Sequence, residues 1–293
     1  QNKLPFFFTC HANLRRLFRV GSFHIPTFFL CNFLFFGVPL QSPHFQNGSD
    51  KTSEMSESAK RTAQVRLVSS HPDVYPPCDD SFLLVDSLLS DQGSLLSHNP
   101  TLCLEIGCGS GYVITSLALI LGASSHYLAT DINPHALKTT GETIRLHNLP
   151  HSIDLIQSDI VSGLYFLAGK VDVMVVNPPY VPTPGEEVGR GGIAAAWAGG
   201  ENGTFVINRV LDAAEAVLSD KGWLYLVVLK DNDPAEICMR MGKKGFYSRI
   251  VLQRATEEEL LSVIKFWRDG DSKVKSECTC MRAVLSFAKW VYS

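Results

Sequence analysis

A short strand that runs into a glycine loop and then into a helix constrains this fold more than any other stretch. The apolar run Leu102–Ile106 predicts a buried strand, and Tyr112–Leu121 has the apolar content and length of a helix. The loop between them, residues 107–111, carries three glycines, which permit a sharp turn and a close approach of the backbone to a ligand. Strand, glycine loop and helix form the first unit of a doubly wound α/β domain.

Polar residues mark the ends of four predicted strands. Glu105 lies in the first strand, and apolar strands at 125–130, 153–157 and 171–176 run into Asp131, Asp159 and Asn177. Because the carboxyl ends of parallel strands share one edge, we expect these side chains to line one ligand site. Each also has a structural alternative: a tight turn for the glycine loop, and a helix cap for either aspartate. Because all four residues occur in order at successive strand ends, a shared ligand site is favoured over four separate structural roles.

The spacing of the glycines selects the class of ligand. Residues 105–111 read Glu-x-Gly-x-Gly-x-Gly, which is typical of S-adenosylmethionine loops. A dinucleotide loop reads Gly-x-Gly-x-x-Gly and sets a pyrophosphate on the helix N-terminus. Asp131 is predicted to bind the ribose hydroxyls, and Asp159 to accept from the adenine N6, with Ile160 against the ring. The methyl donor loses its positive charge in the reaction, so Glu105 and Asp131 are expected away from the sulfonium.

The motif Asn177-Pro178-Pro179-Tyr180 predicts a clamp for a planar NH2 group. The lone pair of an amide or exocyclic amine is delocalised, so the nitrogen is a poor nucleophile. Two acceptors aimed at its protons, the Asn177 side-chain oxygen and the Pro178 carbonyl, would free that lone pair. The prolines fix φ and carry no N–H, which holds the carbonyl rigidly. Tyr180 is predicted to lie against the target, and no general base or metal is needed. Asn-Pro-Pro also occurs in ordinary turns.

These motifs resemble those of class I methyltransferases of the HemK type. They are most similar to the eukaryotic and archaeal branch that methylates the glutamine of the Gly-Gly-Gln loop in translation release factors. Three further segments carry the resemblance: 73–84 (DVYPPCDDSFLL), 130–134 (TDINP) and 196–203 (AWAGGENG). The resemblance covers residues from about 61 to 266. It implies an α/β, Rossmann-like single domain around a seven-stranded, mostly parallel class I methyltransferase sheet.

The resemblance also implies site residues and a partner. The positions that match cofactor contacts are Ser81, Glu105, Gly107, Gly109, Gly111, Asp131, Ile132, Asp159, Ile160 and Asn177. Substrate contacts fall on Asn177 and Tyr180. The branch works with a small zinc-binding activator subunit as a heterodimer partner, which we expect at the open edge of the third strand. The implied location is the cytoplasm, with a nuclear pool allowed.

Other substrates fit the same chemistry. An adenine-N6 or guanine-N2 amine in DNA or RNA is a planar NH2 group like the glutamine amide, and some relatives modify protein lysines. A formal net charge of −3 disfavours a general nucleic-acid binder. An inactive methyltransferase-fold scaffold is disfavoured by the intact polar strand ends. The eight cysteines predict neither disulfides nor a metal site, because the Cys278-x-Cys280 pair lacks a second pair.

Composition predicts one main core, since 45% of the 293 residues are hydrophobic and 19% are charged. Residues 61–267 are predicted to form the methyltransferase domain, and residues 268–293 a C-terminal appendage. Residues 1–60 are interpreted as a disordered or non-native extension. Within them, residues 1–54 are interpreted as sequence translated upstream of a start at Met55, in preference to a membrane anchor or an organellar targeting peptide.

The sequence also predicts a loop, helices and strands in the second half of the domain. Residues 181–203 are rich in glycine and proline and predict a lid or a grip on the substrate. Helices are predicted from about 205 to 218 and from 233 to about 242. Strands are predicted at 223–229, 246–254 and 259–266, with a turn at residues 221–222 before the first of them.

Overall fold

The computed structural model describes residues 62–149, 153–189, 192–256 and 259–268. The predictions for residues 1–60 and for the appendage beyond residue 268 lie outside this part of the chain. Everything described here belongs to one compact unit. None of the helices within the described ranges has the length and apolar character needed to cross a membrane.

One seven-stranded sheet forms the centre of the domain. Its strands are β1 (Leu102–Ile106), β2 (His126–Asp131), β3 (Ile153–Gln157), β4 (Val171–Val176), β5 (Leu218–Leu229), β6 (Tyr247–Ala255) and β7 (Leu260–Trp267). They lie in the order β3-β2-β1-β4-β5-β7-β6, and only β7 is antiparallel to its neighbours. The predicted mostly parallel seven-stranded sheet is therefore confirmed. All six residues of β4 are buried, because helices cover both faces of such a sheet.

In the part of the chain that the structure describes, six α-helices accompany the sheet. They are α1 (Asp79–Ser90), α2 (Gln92–His98), α3 (Tyr112–Leu121), α4 (Pro134–Leu146), α5 (Phe205–Val217) and α6 (Pro234–Lys243). Nine of the ten residues of α3 are buried, so this helix lies at the heart of the domain. Helix α1 packs against α3, β6 and β7, and α4 packs against β2 and β3.

Two features differ from the sequence prediction. The predicted turn at residues 221–222 was wrong, because β5 already starts at Leu218 and runs through these residues with a register irregularity against β4. Gly222 allows this path, since a Cβ there would lie 2.7 Å from the Val171 carbonyl oxygen. Helices α1 and α2 were not predicted. The segment was interpreted only as a motif, although Asp79 and Asp80 supply the negative first turn that favours a helix N-terminus.

Candidate active site

Strand register brings the predicted site residues to one edge. Ile106 pairs with Thr130 on one side and with Val176 on the other, so Gly107 is flanked by Asp131 and Asn177. Adjacent strands lie about 4.8 Å apart, which sets the spacing of these neighbours. Asp131 in turn pairs with Gln157, just ahead of Asp159. The four polar strand ends therefore meet at the carboxyl edge, as predicted.

The glycine loop needs glycine at each of its three positions. Gly107, Gly109 and Gly111 have φ values of 76°, 50° and 80°, in the left-handed region that side chains disfavour. Gly111 also permits close packing, because a Cβ there would lie 2.9 Å from the Cα of Thr140 on α4. The loop is tied to β2, since the N–H groups of Gly107 and Cys108 both donate to the Thr130 carbonyl oxygen.

Asp131 holds the loop and does not cap a helix. Its Oδ2 accepts from the Gly109 N–H at 2.9 Å, and its Oδ1 accepts from the Asn133 N–H at 2.9 Å. The cap of α4 is Asn133, whose side chain accepts from the His135 N–H, with Pro134 in the first turn. Burial raises the pKa of the Asp131 carboxyl, and its hydrogen bonds from backbone N–H groups partly oppose the rise. The neighbouring Ile132 is 59% exposed, so its side chain is open to a ligand.

Glu105 is a buried carboxylate below the loop. It is 2% exposed, and its Oε2 accepts from the Ile114 N–H at 2.9 Å, in the first turn of α3. Burial raises its pKa well above the usual range, and the nearby charge of Asp131 adds to the rise. The carboxyl oxygens of Glu105 and Asp131 at one glycine loop disfavour a pyrophosphate, which offers only acceptors in return. They suit a ligand with a cationic end and hydroxyl donors.

The turn after β3 is held in a strained conformation. Ile160 has a φ of 59°, which is a genuine outlier for a β-branched residue. The Thr130 hydroxyl donates to the Ile160 carbonyl at 2.9 Å, and the Ser162 N–H donates to the Asp159 carbonyl at 3.0 Å. The Asp159 side chain pairs with Arg209, at 2.8 Å between Nη2 and Oδ2. Sequence reasoning missed Arg209, which lies 50 positions further along the chain.

Asn177 carries a buried acceptor without a partner. Its Oδ1 is shielded from solvent, and no group in the described part of the chain donates to it. Leaving such an acceptor unpaired costs about 1–3 kcal/mol, so it requires an explanation. Pro178 is buried and Pro179 is half-buried, which fixes the turn that presents the amide. A donor group of a ligand would satisfy this oxygen.

Tyr180 anchors the same turn. It is 6% exposed, and its hydroxyl donates to Asp80 Oδ2 at 2.8 Å near the start of α1. The other oxygen, Oδ1, accepts from the N–H and the hydroxyl of Ser81, at 2.6 and 3.1 Å. Asp80 thus joins the segment around Ser81 to the Asn-Pro-Pro-Tyr turn. The contact of the Tyr180 ring with a substrate stays a prediction.

A second loop supports the turn from behind. Asn232 is 2% exposed, and its Nδ2 donates to the Tyr180 carbonyl at 2.8 Å and to the Asn202 carbonyl at 3.1 Å. The N–H of Val181 donates to the Trp197 carbonyl, and Gly199 returns a bond to the Val181 carbonyl. The predicted grip at residues 181–203 is therefore partly a rigid support. Asn232 was not found from the sequence, because its role depends on a contact 52 positions away.

One cluster has the side chains of a metal site but not the orientation. The ligand atoms of His71, Asp73 and His135 lie within 4.8 Å of one another. The two imidazole rings stack at 4.3 Å between centroids and only 12° between planes. Imidazole lone pairs lie in the ring plane, so stacked rings cannot both point at one ion without turning. The cysteines Cys103 and Cys108 are buried in the core, and burial raises the pKa of Cys103 to about 12.

The strand order, with antiparallel β7 between β5 and β6 and a glycine loop after β1, is that of a class I methyltransferase. Residues 81–190 match the methyltransferase small domain family. Human and mouse proteins named Methyltransferase HEMK2 are each 45% identical over 195 residues, which cover 66% of this chain and 89% of the relative. The chain therefore belongs to the HEMK2 family of methyltransferases.

Two further relatives carry more specific names. A Schizosaccharomyces pombe protein named eRF1 methyltransferase catalytic subunit mtq2 is 32% identical over 223 residues, covering 72% of this chain and 96% of the relative. A Moorella thermoacetica protein named Release factor glutamine methyltransferase is 33% identical over 168 residues, covering 56% of this chain and 57% of the relative.

Proposed function

We propose that this methyltransferase transfers a methyl group from S-adenosylmethionine to the side-chain amide nitrogen of a glutamine, in the Gly-Gly-Gln loop of a translation release factor. The observation that carries the proposal is the unpartnered, buried Oδ1 of Asn177, directly beside Gly107 at the sheet edge. The names of the fission yeast and Moorella relatives support the release factor and the glutamine. We propose the cytoplasm as the location of the enzyme, with a nuclear pool allowed.

The residues present fit the proposed cofactor. Glu105 and Asp131 place two carboxyl groups beside the glycine loop, where their oxygens would accept from the cationic amino end and the ribose hydroxyls of S-adenosylmethionine. Exposed Ile132 and the turn at Asp159 and Ile160 would take the adenine. When bound, this cofactor supplies an electrophilic methyl group on a sulfonium. The carboxyl oxygens of this site are acceptors, and the amino and hydroxyl groups of the cofactor are the donors that complement them.

The clamp acts on the two protons of the target nitrogen. Asn177 Oδ1 accepts a hydrogen bond from one proton, and the Pro178 carbonyl accepts from the other. Both acceptors draw the nitrogen toward a tetrahedral shape and localise its lone pair for in-line attack. The N–C bond that forms would replace the S–C bond of the donor, which leaves as a neutral thioether, and the nitrogen would give up one proton to water. Tyr180, bonded to Asp80, keeps the turn from moving as charge develops. Positioning and preorganised dipoles supply the acceleration.

Labelled methyl transfer tests the substrate. The full chain is incubated with methyl-labelled S-adenosylmethionine and, separately, with a release factor and with adenine-containing DNA and RNA oligonucleotides; mass spectrometry then locates the label. We expect the label on the Gly-Gly-Gln glutamine and its loss when that glutamine is changed to glutamate. Label on the oligonucleotides alone, or on a lysine alone, would overturn the proposed substrate.

The Asn177→Ala variant tests the clamp. We expect transfer to fall by a factor of about 10²–10³, the usual effect of removing a preorganised polar group from a reacting centre. Affinity for the product S-adenosylhomocysteine, measured by calorimetry, should stay within a few-fold, since the clamp faces the substrate. A variant that keeps most of its turnover would contradict the assigned role.

We also propose a small zinc-binding activator subunit as the partner, docked by strand addition at the outer edge of β3. Among the described residues this strand pairs with β2 alone, so no described strand covers its outer backbone groups. Tyr165 and Phe166 beside it are 88% and 56% exposed, and an open groove of about 380 Å³ reaches from Phe166 to Leu155 and Ile156. The fission yeast relative is named a catalytic subunit, which supports a second, non-catalytic chain.

A further inference from the structure

Arg209 reaches from α5 to the turn that follows β3. Its Nη2 donates to Asp159 Oδ2 at 2.8 Å, and the two side chains are 43% and 45% exposed. A half-exposed ion pair contributes little to stability. Its position is more informative than its strength, because Asp159 is the residue assigned to the adenine end of the cofactor site.

The backbone under Asp159 is already fixed without Arg209. Ile160 is held at a φ of 59° by the Thr130 hydroxyl, and the Ser162 N–H closes the turn on the Asp159 carbonyl. Strained turns of this kind persist only where surrounding contacts determine them, and they cluster at ligand sites. What remains to be set is the direction of the Asp159 carboxylate, and Arg209 is the group that bonds to it.

The pairing leaves one oxygen of Asp159 for a ligand. A guanidinium has donors only, so Arg209 occupies Oδ2 of the carboxylate. Oδ1 of Asp159 makes no hydrogen bond within the described residues. Because this oxygen is an acceptor, it favours a ligand that presents a hydrogen-bond donor to it. The exocyclic amine of adenine is such a donor, whereas a carbonyl at the same ring position would face the carboxylate with a second acceptor.

We propose that Arg209 is a positioning residue for base recognition: it orients Asp159 so that Oδ1 accepts from the adenine amine and rejects a 6-oxo purine. The inference rests on the proposed cofactor site and names the residue that sets its base selectivity. Arg209 touches neither the cofactor nor the substrate in this assignment, and acts through Asp159.

Calorimetry with two ligands tests this role in the full chain. The probes are S-adenosylhomocysteine and its deaminated analogue, S-inosylhomocysteine, which carries a carbonyl in place of the amine. We expect the wild-type protein to prefer the adenine ligand by a factor of about 10–100, the range for a charge-assisted hydrogen bond. In Arg209→Met this preference should fall about tenfold, with the loss confined to the adenine ligand. Arg209→Lys should restore part of it.

Arg240→Met is the matched control. Arg240 lies on α6 and pairs with Asp212 on α5 at 2.8 Å, so its loss also removes a half-exposed ion pair from α5. Its selectivity should equal that of the wild type. A wild-type selectivity that Arg209→Met and Arg209→Lys both retain would overturn the inference. A wild-type protein that binds neither ligand would instead sink the proposed cofactor site, so the two failures are distinguishable.

Discussion

At the scale of single residues, the site is built from polar groups that the fold does not fully satisfy by itself. Asn177 Oδ1 has no donor within the described residues, and Glu105 is buried with one hydrogen bond to the α3 backbone. Burial of this kind destabilises the domain unless a ligand completes the pairing. These buried polar groups therefore destabilise the ligand-free domain, and a bound ligand that pairs with them would stabilise it.

Glu105→Gln should separate stability from ligand binding. The folded-state pKa of Glu105 is raised above its unfolded value, so its stabilising contribution is complete below the unfolded pKa and is lost as pH rises through the folded pKa. A glutamine at position 105 can accept a hydrogen bond from the Ile114 N–H, but it cannot ionise. The variant should therefore melt at or above the wild-type temperature at pH 8, with the advantage shrinking toward pH 5.

The same variant should bind S-adenosylhomocysteine roughly 10–100-fold more weakly, because the carboxylate no longer meets a cationic amino group. Melting curves across pH, with and without this ligand, measure both effects. Equal affinity in the two proteins would show that Glu105 does not contact the charged end of the cofactor.

At the scale of elements, the loop before α5 serves as the support of the Asn-Pro-Pro-Tyr turn. Gly203 lies so close to this turn that a Cβ would be 2.0 Å from the Tyr180 carbonyl oxygen and 2.5 Å from Asn232 Nδ2. Its φ of 67° is in the left-handed region. A side chain at this position would have to displace the backbone that holds the clamp.

Gly203→Ala should therefore lower turnover and stability together. Gly169 is the control, since its φ of 65° is nearly the same and nothing lies within 4 Å of its hypothetical Cβ. Gly169→Ala should cost only the left-handed penalty, about 1 kcal/mol, and leave activity unchanged. Gly203→Ala should lose at least twice as much stability in urea unfolding and most of its methyl transfer. Identical behaviour of the two variants would contradict the supporting role.

At the scale of the whole molecule, a buried ionic network and the candidate active site have different tasks. The buried carboxylate of Asp91, directly after α1, binds Tyr225 of β5, Arg249 of β6 and Lys265 of β7, and Lys265 Nζ lies 3.0 Å from the centroid of the Trp223 ring. Burial opposes ionisation of Asp91, but its three partners together lower the pKa of this carboxyl. This fully paired network is structural, and none of its members belongs to the candidate active site at the carboxyl ends of the strands.

The outer edge of β3 is the place where we expect the activator subunit to bind. Coexpression with the activator subunit should raise the soluble yield and give a one-to-one complex by light scattering. Replacing Tyr165 and Phe166 together by serine should weaken that complex at least tenfold, because both exposed rings would lose their burial in the interface. Leu96→Ser on α2 is the control, since Leu96 is 50% exposed and lies in an element that does not border β3. Equal solubility and activity of the chain with and without the subunit would overturn the proposed partner.

Much of the fold could be predicted because it depends on local patterns. Short apolar strands, glycine turns and the Asp233-Pro234 helix start are readable from neighbouring residues, and α6 does begin at Pro234 with Asp233 as its cap. The extent of β5 was missed, because Gly222 looks like a turn in sequence. Its lack of a side chain is used instead for close approach to Val171. Local chemistry does not distinguish these two uses of glycine.

The sequence by itself determined which polar residues follow one another at the strand ends. These are Glu105 with the glycine loop, and then Asp131, Asp159 and Asn177. These follow from residue type and spacing, since strands of a doubly wound sheet end at one edge. Only the tertiary structure decided which distant groups complete them. Arg209 on Asp159, Asp80 on Tyr180 and Asn232 behind the clamp are each 50 or more positions from their partner. Such contacts arise from the packing of elements against one another, and no local pattern encodes them.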